Sequence, residues 1–353
     1  MENQTNDSEN SFTEAQLALL RTSIFVFCVT KSVLCLIGIL LNLSLIYVTV
    51  RAKWLHGICN IFLLIYDASV IPFLAGVPFY LNQFVQGYPS MKVSECLMFQ
   101  FVPLFLFCGS FPLMLFIAID RLIGAIFPIK YRSVKKWSAV GIALVLCALY
   151  SFCYMIIALQ NALRAQLPIA CTTTAPLGSA VNALAKTNFA LESIAIFIYI
   201  FIWLHMNKMD KKSRKENGNS TVDVRRLFKS LFSILLVDFV GWSTNSISIT
   251  LLGLIGFSSA SPKTTDRIIY FFITSSLNYM TYISACSNSI VLYSLSQDYQ
   301  RAFDQFLPNW VVKFKNAICR KPNTLVVPNN AIIVAARQMN SNKDNQSKSA
   351  TTK

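Results

Sequence analysis

The chain has 353 residues, 31 Lys and Arg against 16 Asp and Glu, and a net charge of +15. Its apolar fraction is 54%, its charged fraction is 13%, and its mean hydropathy is +0.52; soluble domains carry about twice that share of charge. These values exclude a disordered chain, a fibre and an ordinary soluble enzyme, and point to a polytopic helical membrane protein. In that class, basic charge orients loops rather than binding nucleic acid, so no nucleic-acid partner is expected.

Residues 1–21 are polar and acidic, with Glu2, Asp7, Glu9 and Glu14, and lack the basic start of a signal peptide. They are expected as an extracellular N-terminus, with the first span acting as its own insertion signal. Asn3 and Asn6 open the sequons Asn3-Gln-Thr and Asn6-Asp-Ser and are expected glycosylation sites. A membrane crossing needs about 20 mostly apolar residues. Seven stretches qualify: Ser23–Val50, Ile58–Phe84, Cys96–Phe127, Trp137–Leu159, Asn188–Met206, Leu227–Phe257 and Ile268–Leu295. The second holds Asp67, Pro72 and Pro78 and is expected to be kinked. The fifth is short and interrupted by Glu192. The seven crossings define a transmembrane domain over 22–306, followed by a cytoplasmic tail over 307–353. The tail starts amphipathic around Trp310 and ends in a Ser-, Asn- and Lys-rich segment that is expected to be disordered.

Of the 31 basic residues, 24 fall in the loops after spans 1, 3 and 5 and in the tail. The positive-inside rule makes that side cytoplasmic and the N-terminus extracellular. No internal repeat suggests a transporter of duplicated halves, and no mid-membrane helix break suggests a channel. Only His56 and His205 are histidines, and no His, Cys or carboxylate grouping points to an enzyme or a resident cofactor. Most of the 10 Cys lie in apolar runs as small hydrophobes. Cys96 opens span 3 and Cys171 lies in the outer loop after span 4. An oxidising exterior favours a disulfide between them over two free thiols.

Several spacings are specific. Gly38 and Asn42 lie in span 1, Leu63 and Asp67 in span 2, and Cys96, Ser110 and Asp120-Arg121-Leu122-Ile123 in span 3. Phe127-Pro128-Ile129-Lys130-Tyr131-Arg132 follows, and Asn288-Ser289-Ile290-Val291-Leu292-Tyr293 ends span 7 before Tyr299-Gln300-Arg301-Ala302-Phe303. With seven spans, this pattern resembles a rhodopsin-like G-protein-coupled receptor and, within that group, the nematode serpentine chemoreceptors of the Srsx type. It covers roughly Leu34–Phe303. The resemblance implies an all-α seven-transmembrane bundle with a short amphipathic membrane-surface helix after span 7. It also implies a plasma-membrane receptor, in a sensory-neuron cilium, that turns binding of a small-molecule or peptide ligand into activation of a heterotrimeric G protein. The chain departs from the pattern in spans 5, 6 and 7, which lack their usual prolines. That puts the usual opening motion in question and leaves a non-coupling receptor of the same fold as the alternative.

On this resemblance, Asp120, Arg121 and Tyr293 form the cytoplasmic latch, although an interface arginine also snorkels to phosphates. Asp223 is a second partner for Arg121. Asp67 with Asn42, Ser110, Asn288 and Ser289 forms a polar core that binds sodium, or a hydrogen-bonded packing node. Asp238, one turn from Trp242, either bonds polar atoms near Ser110 or Asn288 or stands as a neutral acid. Trp242 is a switch beneath the ligand or an ordinary packed ring. The pocket is expected in the outer third, with Gln100, Pro103, Leu104, Phe107, Phe189 and Glu192 on one side. Asn245, Ile249, Tyr270 and Asn278 complete it. Lys31 and Glu192 bring charge to that level and either meet a charged ligand or snorkel outward. No acid in the outer half of span 3 argues against an amine salt bridge, and no lysine in span 7 excludes a retinal Schiff base there. Cys319, beside Arg320 and Lys321, is a palmitoylation site or a free thiol. The basic runs Lys211–Lys215 and Arg225–Arg226 attract anionic membrane lipid as well as a G protein.

Overall fold

A computed structural model describes residues 14–87, 90–133, 135–164, 168–217, 222–255 and 264–306. Asn3, Asn6 and Cys319 lie outside them, as does the side chain of Asp223. Nine α-helices follow in order among the described residues. Seven are long: α1 (Glu14–Arg51), α2 (Ile58–Val85), α3 (Val93–Ile126), α5 (Lys136–Arg164), α6 (Val181–Asn217), α7 (Val222–Leu254) and α8 (Thr264–Leu295). Two are short, α4 (Pro128–Ser133) and α9 (Gln297–Phe306). Among the described residues there is no strand, only an isolated antiparallel bridge between Met91 and Ile169.

The bundle is inside-out with respect to water. On α1, Val33, Leu36, Ile37, Leu40, Leu43 and Tyr47 are exposed, recurring at three- and four-residue steps along one face. Ser32, Asn42 and Thr49 on the same helix are buried. Lipid is the solvent for the first set, and neighbouring helices satisfy the second.

Five helices are long and apolar enough by composition to cross a membrane: α1, α2, α3, α5 and α6. α7 contributes a shorter apolar stretch, Leu231–Thr244. α8 carries Thr281, Ser284, Asn288 and Ser289, all buried against other helices. Average hydropathy understates a helix whose polar groups face inward.

Several boundaries differ from the sequence reading. α1 begins at Glu14, so helix extends into the segment expected as a polar N-terminus. The fifth span is not short: α6 runs 37 residues and Glu192 does not break it, because its side chain is only 3% exposed and faces the bundle. Pro72 and Pro78 in α2, and Pro103 and Pro112 in α3, sit within uninterrupted helices.

Small side chains bring α8 close to its neighbours. A Cβ on Gly38 of α1 would lie 2.1 Å from Cys286 Sγ. A Cβ on Gly241 of α7 would lie 2.6 Å from Ser284 Cβ. α9 is amphipathic, with Tyr299, Ala302 and Phe303 buried and Gln297, Asp298 and Arg301 exposed. Tyr293 stacks edge-on against Phe303, Trp54 stacks on Phe306, and Thr49 donates to the Tyr299 hydroxyl.

Candidate functional site

The half of the bundle that holds the Cys96–Cys171 disulfide encloses a cavity of about 860 Å³. Its ceiling is fixed from α3. Cys96 and Cys171 form a disulfide, and Thr172, Thr173 and Thr174 follow directly onto the cavity wall. Thr173 donates a 3.3 Å hydrogen bond to Gln100 Oε1. Gly76 lets this loop settle on α2, since a Cβ there would lie 2.5 Å from Thr173 Oγ1. At Gly178 the loop turns with φ +56°, a conformation that favours glycine.

The floor is aromatic. Trp242 lies with ring centroids 5.7, 5.2 and 5.4 Å from Phe73, Phe107 and Phe111. Of the residues expected in the pocket, Phe107, Phe189 and Asn278 line it. Gln100 and Leu104 are buried behind the wall, and Pro103 and Tyr270 are half-buried outside the lining. Glu192 is buried one turn below Asn188, and Asn188 is the member of that pair that lines the cavity. The side chains of Asn245 and Ile249 lie outside those described.

The structure adds a wall that α3, α6, α7 and α8 alone do not supply. Ile24, Phe27, Cys28 and Lys31 of α1 line the cavity with Phe73 and Tyr80 of α2. The signal was present in α1: positions 24, 27, 28 and 31 share one helical face. The threonines were signalled by the disulfide, which pins the residue immediately before them.

Below the floor lies a polar layer. Asp67 is fully buried, and Asn288 Nδ2 donates to its Oδ1 at 2.9 Å. The donor groups of the other expected members go elsewhere. Asn42 Nδ2 donates to the Ala285 carbonyl at 3.0 Å, Ser289 to Leu41 at 2.6 Å, and Ser110 to Phe107 at 2.7 Å. Asp67 Oδ2, Asn42 Oδ1 and Asn288 Oδ1 are buried without a hydrogen-bond partner.

Asp238 is also buried, and its partners are neither Ser110 nor Asn288 themselves. Tyr66 of α2 donates to one carboxyl oxygen at 2.9 Å, and Ser284 of α8 donates to the other. Helix rotation explains the difference: the Asp238 face of α7 meets α8 at Ser284, one turn before Asn288.

At the C-terminal end of α3, Arg121 Nε stands 3.9 Å from Asp120 Oδ2. Tyr131 of α4 donates a 2.8 Å hydrogen bond to Asp120 Oδ1. Burial and the Asp120 carboxylate push the Tyr131 hydroxyl above its usual range, so it remains a donor at neutral pH. Cys59 of α2 lies beside Arg121. Tyr293 bonds Asp304 at 3.3 Å, joining α8 to α9.

Seven membrane helices, a surface helix after the last, and a disulfide-capped cavity define a seven-transmembrane receptor-type bundle. The chain belongs to the serpentine type 7TM GPCR chemoreceptor Srsx family, whose sequence model matches residues 35–307. This is a family of membrane receptors, not of enzymes. No curated protein matches the chain.

Proposed function

We propose that this protein is a chemosensory G-protein-coupled receptor of the plasma membrane with an extracellular N-terminus. A sensory-neuron cilium is the setting that family membership favours. A ligand enters the outer cavity and an inner cleft accepts a heterotrimeric G protein. One observation carries this reading: Trp242 floors the cavity, and Asp238, one turn further in on the same helix, is tied to α2 and α8. A ligand that shifts the Trp242 ring therefore acts on the helix whose inner end must move. Differential binding to the two arrangements supplies the energy.

At the inner face, the Asp120–Arg121 pair holds the resting state, with Tyr131 steadying Asp120. In the active state Arg121 leaves Asp120 and meets the G protein. Asp67 Oδ2, Asn42 Oδ1 and Asn288 Oδ1 fit a sodium ion, being buried oxygens with no other partner. Bound there, sodium supplies positive charge against the Asp67 carboxylate. The hydroxyls of Ser110 and Ser289 are committed to backbone carbonyls. Tyr293 acts through α9 rather than as a third latch residue, and Asn3 and Asn6 carry glycans.

The test is G-protein recruitment in cells, with surface display read from an N-terminal tag on unpermeabilised cells. A stimulus-dependent signal that Arg121→Ala abolishes at equal display supports the reading. Displayed protein that recruits no G protein under a broad panel of volatile, small-molecule and peptide stimuli overturns coupling. That outcome favours the non-coupling receptor, which the missing prolines of α6, α7 and α8 support.

A further inference from the structure

The outer cavity is unevenly charged. Its lining includes Lys31 of α1 and Lys186 of α6, and no Asp or Glu is among the described lining residues. Lys31 lies 20 residues before Arg51, about 30 Å outward at 1.5 Å per residue, at the depth of the cavity. It shares the inward face of α1 with Phe27 and Cys28, whereas a lysine that merely snorkels lies on the lipid face.

Its ammonium is boxed. The ring centroids of Phe27, Tyr279 and Tyr282 lie 5.9, 5.3 and 5.9 Å from Nζ. The Tyr279 hydroxyl bonds Thr30 and donates to the Phe27 carbonyl at 3.3 Å, which fixes that ring beside the amine. Aromatic faces soften the charge without neutralising it. Among the described residues the structure records no carboxylate paired with Lys31, whose ammonium meets aromatic rings instead. A cation in an apolar enclosure without a counter-ion is costly, and an anion arriving from outside removes that cost. Lys186, exposed on the outer part of α6, adds attraction for the same sign of charge.

The geometry points to a small organic acid as the ligand: a carboxylate paired with Lys31, joined to an apolar body packed among Phe73, Phe107, Phe189 and Trp242. This rests on the reading of the cavity as the ligand site. The volume of about 860 Å³ suits such a molecule. An amine meets two lysines and no acid, so it is disfavoured.

The test uses the full-length receptor, purified and reconstituted, with thermal unfolding as the readout. The probes are hexanoate and 3-phenylpropionate, each against its matched alcohol and amine. Each acid is expected to stabilise the wild type at about tenfold lower concentration than its alcohol, the size of one charge-assisted contact. Lys31→Gln erases that advantage and Lys31→Arg keeps it. An alcohol or amine that equals the acid overturns the inference, as does an acid advantage that survives Lys31→Gln. Should Lys31→Gln fail to fold, the wild-type ranking of acid over alcohol and amine decides. Val77→Trp, which fills the cavity, separates the two readings. Alcohol stabilisation lost in Val77→Trp, with no acid advantage, sinks the acid and keeps the cavity. No stabilisation by any probe sinks both.

Discussion

Tyr66 of α2 donates a 2.9 Å hydrogen bond to Asp238 of α7, across 172 positions of chain. Ser284 of α8 donates to the second oxygen of the same carboxyl. Three helices thus meet on one buried acid, one turn beneath the aromatic floor of the cavity. Leaving a buried acceptor short of a donor costs about 1–3 kcal/mol. Tyr66→Phe is expected to lower stability by that amount. Because both residues serve one contact, Tyr66→Phe and Asp238→Asn should couple by at least about 0.5 kcal/mol in a double-mutant cycle. Thermal unfolding of the purified receptor checks this, and strictly additive losses would count against the contact.

At the C-terminal end of α3, Tyr131→Phe removes the hydrogen bond that holds Asp120 toward Arg121. Basal G-protein recruitment should rise about two- to tenfold at equal surface display, since weakening a resting-state contact by up to about 1.4 kcal/mol shifts a two-state equilibrium by up to tenfold. Arg121→Ala should instead abolish stimulated recruitment. Unchanged basal activity in Tyr131→Phe would show that Asp120 holds Arg121 without help.

Gly241 tests the packing of α7 on α8. An added Cβ would lie 2.6 Å from Ser284 Cβ and 2.9 Å from the Met280 carbonyl oxygen, so one helix must move. Gly241→Ala is expected to destabilise by about 1–3 kcal/mol, the usual cost of overpacking. Gly141 on the exposed face of α5 meets nothing within 4 Å and is the control. Gly141→Ala should be neutral or slightly stabilising in the same assay.

The Cys96–Cys171 disulfide closes a sequence separation of 75 residues and carries the threonines above the cavity. Cys171→Ser should cost about 2–5 kcal/mol. Ligand response should fall further than stability alone explains, because Thr172–Thr174 lose their position. Response per displayed receptor, measured below the melting transition, separates the two losses.

If the oxygens around Asp67 hold sodium, the ion stabilises the form that binds it by mass action. The wild type should melt at a higher temperature in sodium chloride than in a bulky organic-cation chloride of equal ionic strength. Asp67→Asn should remove most of that difference. Equal melting of the wild type in both salts would leave Asp67 as a packing node.

Much of this protein was legible along the chain. Apolar run length marked seven crossings, and the spacing of Asp67, Asp120-Arg121 and Tyr293 carried the family. Cys96 and Cys171 were paired by compartment alone. The extent of the fifth helix was misread because Glu192 looked like an interruption. A buried acid interrupts a hydropathy profile without interrupting a helix, since its backbone bonds are unaffected.

The pocket was only partly legible. Phe107, Phe189 and Asn278 follow from one helix face each, whereas Glu192 and Leu104 sit a little too far round theirs. The sequence by itself determined how many helices cross and which face of each is apolar, because both depend on neighbours within about two turns. The tertiary structure alone decided who meets whom: Asp238 with Tyr66 and Ser284 rather than Ser110 or Asn288, and Lys31 with Tyr279 and Tyr282. Those pairings depend on how far each helix is rotated and how closely it approaches. Contacts such as Gly38 on Cys286 and Gly241 on Ser284 set that rotation and approach, and they join residues that no local pattern relates.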